Sequence, residues 1–255
     1  MASQFDITGK LALVTGSSRG LGLALATGLA QAGAAVILHG RDRDALRAAT
    51  NTIREKTGTT SAVVSFDVKD ATAVDEGVSA LIAEHGIPDV LVNNAGIQRR
   101  APFQEFDPQD WDAVIATNLS AVFYVSRHVS AAMVERGSGK IINIGSAMTL
   151  LARQTIAPYG ASKAGVAMLT QGMAADLARH NIQANTLSPG YFATEMNTAL
   201  VEDAAFNSWL INRTPARRWG RAEELVGTLL YLSSSASDFV SGQNIVVDGG
   251  LTSVV

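Results

Sequence analysis

Seven short runs along the chain carry few or no polar residues, and longer stretches with one polar helical face separate them. A continuously apolar run closed by glycine, asparagine or aspartate is the pattern of a strand covered on both sides. This rule predicts strands at Leu11–Val14, Ala35–His39, Ala62–Val68, Val90–Val92, Lys140–Ile144, Ile182–Leu187 and Asn244–Val247. Helices are predicted from the glycine-rich turn at residues 15–22 to near Gly33, from about Asp42 (its N-cap) to Lys56, and again ahead of Val90. One long helix is expected from Pro108 to about Arg136, another opening at Pro158, and a last one from about Ala222. Regular alternation of such strands and helices argues for parallel pairing with helices on both faces, an α/β doubly wound sheet of Rossmann type. Neither repeat nor linker interrupts it, so residues 1–255 read as one domain, with the less regular 191–215 segment as a lid over a substrate pocket.

Composition narrows the function. A chain of 255 residues, 47% hydrophobic and 17% charged, has the means to bury a large core. The net charge is -3 and the basic residues are dispersed, so there is no footprint for nucleic acid or an anionic membrane. With no cysteine, disulfides, thiolate catalysis and cysteine-held metals are excluded. The opening MASQFDITGK lacks an apolar signal core and no apolar run reaches spanning length, which gives a cytoplasmic expectation.

The candidate chemistry starts at the first strand. Thr15-Gly16-Ser17-Ser18-Arg19-Gly20-Leu21-Gly22 sits between a strand and a helix, where backbone N–H groups and a positive helix end point at a pyrophosphate. Where a NAD site carries an acid at the end of the second strand, this chain has Gly40 and then Arg41. Arg41, with Arg19 from the turn, would welcome a 2′-phosphate, so NADP is favoured over NAD. Asp67, ahead of Val68, is placed to accept a bond from an adenine amino group. Tyr159 and Lys163 are four residues apart and share one helical face. An ammonium some 5 Å from a phenol, at an effective dielectric of about 20, favours the phenolate by roughly 3 kcal/mol, about two pKa units. Tyr159 could then exchange a proton with a substrate hydroxyl near neutrality, steadied by Ser146. Asn118 is a weak helix former inside the long helix and asks for an explanation.

Together Thr15-Gly16-x-x-x-Gly20-x-Gly22, Asn93-Asn94-Ala95-Gly96, Asn118, Ser146, Tyr159-x-x-x-Lys163 and Pro189-Gly190-x-x-x-Thr194 resemble the motif set of the classical short-chain dehydrogenases/reductases. The likeness covers essentially the whole chain. It implies a seven-stranded sheet, a homotetramer or dimer, a small-molecule substrate and no catalytic metal. It also implies Tyr159 as general acid/base, Ser146 holding the reacting oxygen, Lys163 tuning the tyrosine and binding the nicotinamide ribose, and Asn118 holding a relay water. By the same resemblance Gly16, Ser18, Arg19, Gly20, Leu21 and Gly22 meet the dinucleotide phosphates. Arg41, Asp67, Val68, Asn94, Ala95, Gly96, Pro189, Gly190 and Thr194 complete the cofactor-binding set, with Thr194 near the nicotinamide carboxamide. Longer stretches, such as residues 93–100 and 189–196, are similar to the bacterial gluconate 5-dehydrogenase branch. That branch makes Arg99, Arg100 and Arg153 candidates for a substrate carboxylate. Met148 and Leu150 depart from its polar loop and supply no hydrogen bonds, which keeps a carrier-bound or apolar carbonyl as the alternative substrate. A non-catalytic NADP(H)-binding protein is the remaining alternative.

Overall fold

The computed structural model describes residues 3–254; residues 1, 2 and 255, inside the domain bounds read above, lie outside the described residues. Strands β1 (Leu11–Val14), β2 (Ala35–His39), β3 (Ala62–Val64), β4 (Val90–Asn93), β5 (Gly139–Ile144), β6 (Ile182–Pro189) and β7 (Asn244–Val247) form one sheet in the order 3-2-1-4-5-6-7. Every pairing is parallel. Side chains alternate between the two faces, as period-two geometry requires. Ala12, Val14, Val36, Leu38, Val90, Val92, Ile142 and Ile144 point into one core, while Leu13, Ile37, Leu91 and Ile141 point into the other. Helices α1 (Gly20–Gln31), α2 (Arg43–Thr57) and α9 (Val226–Ser233) cover the first face. The second is covered by α3 (Ala71–His85), α5 (Ala121–Arg136) and α6 (Ala157–Leu177). Leu91 and Ile141 are 0% exposed, and burial of such a side chain contributes about 1.5–3 kcal/mol, so a charge at either position would break the sheet's centre.

Several boundaries differ from the sequence reading. Strand β3 stops at Val64 because Phe66 leaves the sheet and packs against Gly77 of α3, where a Cβ would sit 2.3 Å from the ring. β6 runs on to Pro189, carrying the Pro-Gly motif to the sheet's edge. The long helix is not one α-helix: α4 (Pro108–Ile115) and α5 are joined by a π-helical turn at Ala116–Ser120, with Asn118 at its centre. The region after Ala222 begins as a 3-10 turn before α9. Residues 191–215 hold regular elements, α7 (Thr198–Glu202) and α8 (Ala204–Arg213), the latter N-capped by Asp203. Asp42 caps α2 as read, accepting from the N–H groups of Asp44 and Ala45.

A row of polar side chains crosses the centre of the sheet near its carboxyl edge. Asn93, Asn143 and Thr186 are register partners on β4, β5 and β6. Asn93 Nδ2 donates to Ser126 Oγ of α5 and to Asn143 Oδ1, both at 2.8 Å. Asn143 Nδ2 donates to Thr170 Oγ1 of α6 at 2.9 Å, and Thr186 Oγ1 donates to the same oxygen at 2.9 Å. Buried polar groups that are satisfied in this way fix one arrangement. Here they pin α5 and α6 directly beneath the loops that carry Asn94, Ser146 and Gly190.

Candidate active site

In an open parallel sheet, ligands bind outside the carboxyl ends of the strands where the strand order reverses. That point lies between β1 and β4, and the loops after β1, β4, β5 and β6 all open on the same edge. The sequence-predicted residues are therefore brought together by topology.

The glycine turn is held by the loop after β4. Asn94 Nδ2 donates to the carbonyls of Thr15 and Gly16, each at 3.0 Å, while Thr15 Oγ1 accepts from the N–H groups of Asn94 (3.0 Å) and Ala95 (3.1 Å). Gly16 takes φ +62°, and a Cβ there would lie 2.8 Å from Ala95 Cα. Helices α2, α3, α4 and α8 all receive an aspartate side chain at their N-termini, whereas α1 has Arg19 at its N-cap, no side-chain cap bond and no acid in its first turn. Its N–H groups and positive end are left for an anion, and the pared-down turn gives a phosphate room to approach. These features fit a dinucleotide pyrophosphate. At the adenosine end Arg41 and Arg19 are largely solvent-exposed, 70% and 80% by side chain, each in loose ion pairs: Arg41 with Asp67 (3.8 Å) and Arg19 with Glu195 (3.9 Å). Exposed pairs of this length are weak and yield readily to a phosphate. Val68 is buried beside Asp67.

The catalytic candidates converge on the next two loops. Ser146 and Tyr159 line one cleft, together with Gln98, Arg100, Met148, Arg153, Tyr191 and Gly190. Lys163 is 5% exposed; its Nζ donates to the Ile144 carbonyl at 2.6 Å and stands 5.8 Å from the Tyr159 ring centroid. The pair therefore shares a face, but the expected phenol acidification does not appear. Burial pushes the Tyr159 phenol above its ordinary value, opposed by the Ser146 hydroxyl, and burial depresses Lys163 to about 8. Desolvation disfavours charge on both groups, a term that the residue spacing does not contain.

Asn118 is fully buried. Its Oδ1 accepts the Ile97 N–H at 2.8 Å, and its Nδ2 donates to the Ile97 carbonyl at 3.0 Å and to Ser162 Oγ at 3.1 Å. Ser162 Oγ in turn donates to the Tyr159 carbonyl at 2.7 Å. Both amide hydrogens are thus committed to structure, linking the π turn to the catalytic helix and to the loop after Gly96.

Among the proposed carboxylate contacts the structure divides. Arg100 lines the cleft and is bonded by Gln98 Oε1 at 3.1 Å; Arg153 lines it too, its guanidinium 4.5 Å over the Phe206 ring. Arg99 instead pairs with Asp110 at 3.1 Å and is not part of the cleft wall. Met148 faces the cleft as expected, while Leu150 is 63% exposed and outside it. Pro189 ends β6, and Thr194 precedes the 3-10 turn at Glu195–Asn197, its carbonyl accepting the Asn197 N–H at 2.9 Å. Sequence reasoning missed Gln98, Tyr191, Asn197 and Leu200 in the wall and Ser162 behind the tyrosine. Ser162 and Tyr191 each lie inside a recognised motif, which was the available signal.

Comparison with known proteins bears on the same residues. A family model described as short chain dehydrogenase matches residues 10–205. The chain is 53% identical to a gluconate 5-dehydrogenase of Gluconobacter oxydans over 248 residues, covering 97% of this chain and 96% of that one. It is 50% identical to the 5-keto-D-gluconate 5-reductase of Escherichia coli K12 over 251 residues, 98% of each. A crystal structure of a gluconate 5-dehydrogenase from Burkholderia cenocepacia, in complex with NADP and tartrate, superposes with a TM-score of 0.96 at 52% identity, covering 99% of this chain and 98% of that one.

Proposed function

We infer, since the chain belongs to the short chain dehydrogenase family, that it interconverts a secondary alcohol and a ketone by NADP-linked hydride transfer. D-gluconate and 5-keto-D-gluconate are the pair it serves best, as the names of its relatives indicate. The observation that carries the reading is one cleft lined by both Ser146 and Tyr159 and by Arg100 and Arg153. A sugar acid has a reacting hydroxyl for the first and a carboxylate for the second.

Held by the glycine turn, Arg41 and the loops after β4 and β6, NADP would supply the hydride acceptor, and NADPH the hydride donor, at the carbinol carbon. The chain's own residues handle the proton. Ser146 donates a hydrogen bond to the substrate oxygen and holds it against Tyr159. Tyr159 takes the proton during oxidation and gives it back during reduction. Lys163, charged below about pH 8, favours the phenolate. Its lowered value means that this support fades as pH rises through 8 unless a bound ligand restores the charge. Asn118 holds the π turn, whose main chain is the place left for a relay water.

Residues 191–215 act as the lid in this reading. Tyr191, Phe206, Trp209 and Trp219 pack edge-on or tilted with ring centroids 5.2 to 6.3 Å apart, and Arg153 caps Phe206. We also propose a cytoplasmic homo-oligomer, a tetramer or dimer. Phe123 on α5 and Met168 on α6, 47% and 64% exposed, are the apolar side chains that such an assembly would cover. A solution mass of one subunit would refute the oligomer.

Following NADPH absorbance with 5-keto-D-gluconate beside apolar ketones and oxoacyl thioesters tests the substrate. Saturable oxidation with the keto acid is expected, and turnover confined to the apolar panel would reassign it. NADPH binding without oxidation by any carbonyl would remove the enzyme reading. In the same assay Arg41→Asp should lower the preference for NADP over NAD about 100-fold, since a charge-assisted phosphate contact of about 1.5–3 kcal/mol is replaced by repulsion. An unchanged ratio would contradict the role given to Arg41.

A further inference from the structure

His39 ends β2 and is 2% exposed, yet the reaction above makes no use of it. Its Nδ1 accepts the N–H of Gly16 at 3.3 Å, and its Nε2 is 3.1 Å from the Phe66 carbonyl. A ring nitrogen facing an N–H must be the acceptor and one facing a carbonyl must carry the hydrogen, so the partners select the neutral Nε2–H tautomer. The imidazole lies on the Phe66 ring with centroids 4.3 Å apart. The main chain repeats the connection: His39 N–H donates to Ser17 Oγ at 3.0 Å, and the His39 carbonyl accepts the Ser17 N–H at 2.9 Å. Burial depresses the imidazole to about 4, with Asp67 and Arg41 acting in opposite directions, so the acceptor is present throughout the neutral range.

Gly16 belongs to the turn that meets the pyrophosphate, and Phe66 immediately precedes Asp67 and Val68 at the adenosine end. We propose that His39 is a positioning residue for the dinucleotide: its two ring nitrogens clip the glycine turn to the segment leaving β3 and set the spacing between the two walls of the cofactor groove. Its effect falls on cofactor affinity and not on the chemical step, because neither nitrogen reaches the cleft that holds Ser146 and Tyr159. The proposal rests on the NADP reading for its functional consequence but not for its structural content.

The two halves of the clip are separable. In His39→Asn the amide oxygen occupies the place of Nδ1 and still accepts from Gly16, but the side chain is too short to reach Phe66. In His39→Gln the amide nitrogen reaches the Phe66 carbonyl and no acceptor faces Gly16. His39→Leu fills a similar volume and removes both. Titrating each full-length variant with NADPH by fluorescence should show the dissociation constant rising at least 10-fold in His39→Leu and less in the two amides, with kcat at saturating NADPH within about threefold of wild type. Hydrogen exchange in the cofactor-free proteins should speed up at the Gly16 amide in His39→Leu and His39→Gln but stay slow in His39→Asn. Nitrogen-15 spectra of the wild type at neutral pH should report the Nε2–H tautomer. Unchanged affinity in a folded His39→Leu would overturn the proposal. So would equal losses of affinity, thermal stability and Gly16 protection in all three variants, since that is what simple core damage produces. Should the wild type bind no NADPH, the cofactor reading falls, and the clip stands or falls on Gly16 exchange alone.

Discussion

Tyr159→Phe is expected to lower kcat for 5-keto-D-gluconate reduction by about 100- to 10,000-fold, the range that a positioned proton donor contributes, while NADPH binds with near-normal affinity. The substitution removes one oxygen and leaves the ring in place. Among the described residues no side-chain hydrogen bond of the 191–215 segment or the glycine turn passes through that oxygen, so the fold has little to lose. Because burial holds the phenol above its usual value in the free protein, the hydroxyl starts protonated and is ready to donate in the reductive direction. Oxidation needs the phenolate and should therefore accelerate as pH rises, with the support of the Lys163 charge already fading through about 8. A variant with near-normal turnover would transfer the proton to another group and end the assignment.

Gly22→Ala should abolish measurable cofactor binding without touching any catalytic group. A Cβ at this position would lie 2.3 Å from the Gly16 carbonyl oxygen and 2.5 Å from Asn94 Nδ2, the two atoms joined by one of the bonds that hold the turn. Backbone cannot yield as a side chain does. The turn must open, and an overpacking cost of about 1–3 kcal/mol is expected to lower the melting temperature by about 2–4 °C per kcal/mol. NADPH affinity should fall at least about 100-fold, some 3 kcal/mol. Gly20→Ala is the matched control. Its φ is +55°, but nothing lies within 4 Å of the added Cβ, so only the left-handed strain of about 1 kcal/mol applies. Equal stability losses in the two variants would show that conformational strain, not the collision with Asn94, governs the turn.

The strands were legible because burial on both faces leaves a run of apolar residues that little else produces. The same signal misplaced the end of β3: Phe66 and Val68 are buried against α3 and the histidine clip, and apolarity alone does not say which surface buries a side chain. Ser146, Tyr159 and Lys163, proposed here as catalytic, lie near one another, since loop order after parallel strands determines which loops are neighbours. Their acidity was misread because spacing reports the neighbouring charge and says nothing of desolvation. Arg99, Arg100 and Arg153 were indistinguishable in the sequence. Only packing separates the one tied to Asp110 from the two facing the cleft.

The π turn at Ala116–Ser120 has a consequence for insertions and deletions. A single residue advances an α-helix by about 100°, so removing one residue from this turn would let 108–136 wind as the uninterrupted helix its periodicity suggests. The isolated segment would then be a better helix. Val122, Val125, Val129 and Met133, all now buried, would keep their phase, because a π turn absorbs one extra residue without turning the helix that follows. What would be lost is the seat of Asn118 between Ile97 and Ser162, so one deletion inside 116–120 should leave the layer packed but unhook α6 from the loop after Gly96, whereas one deletion inside α5 would turn its whole buried face by about 100°.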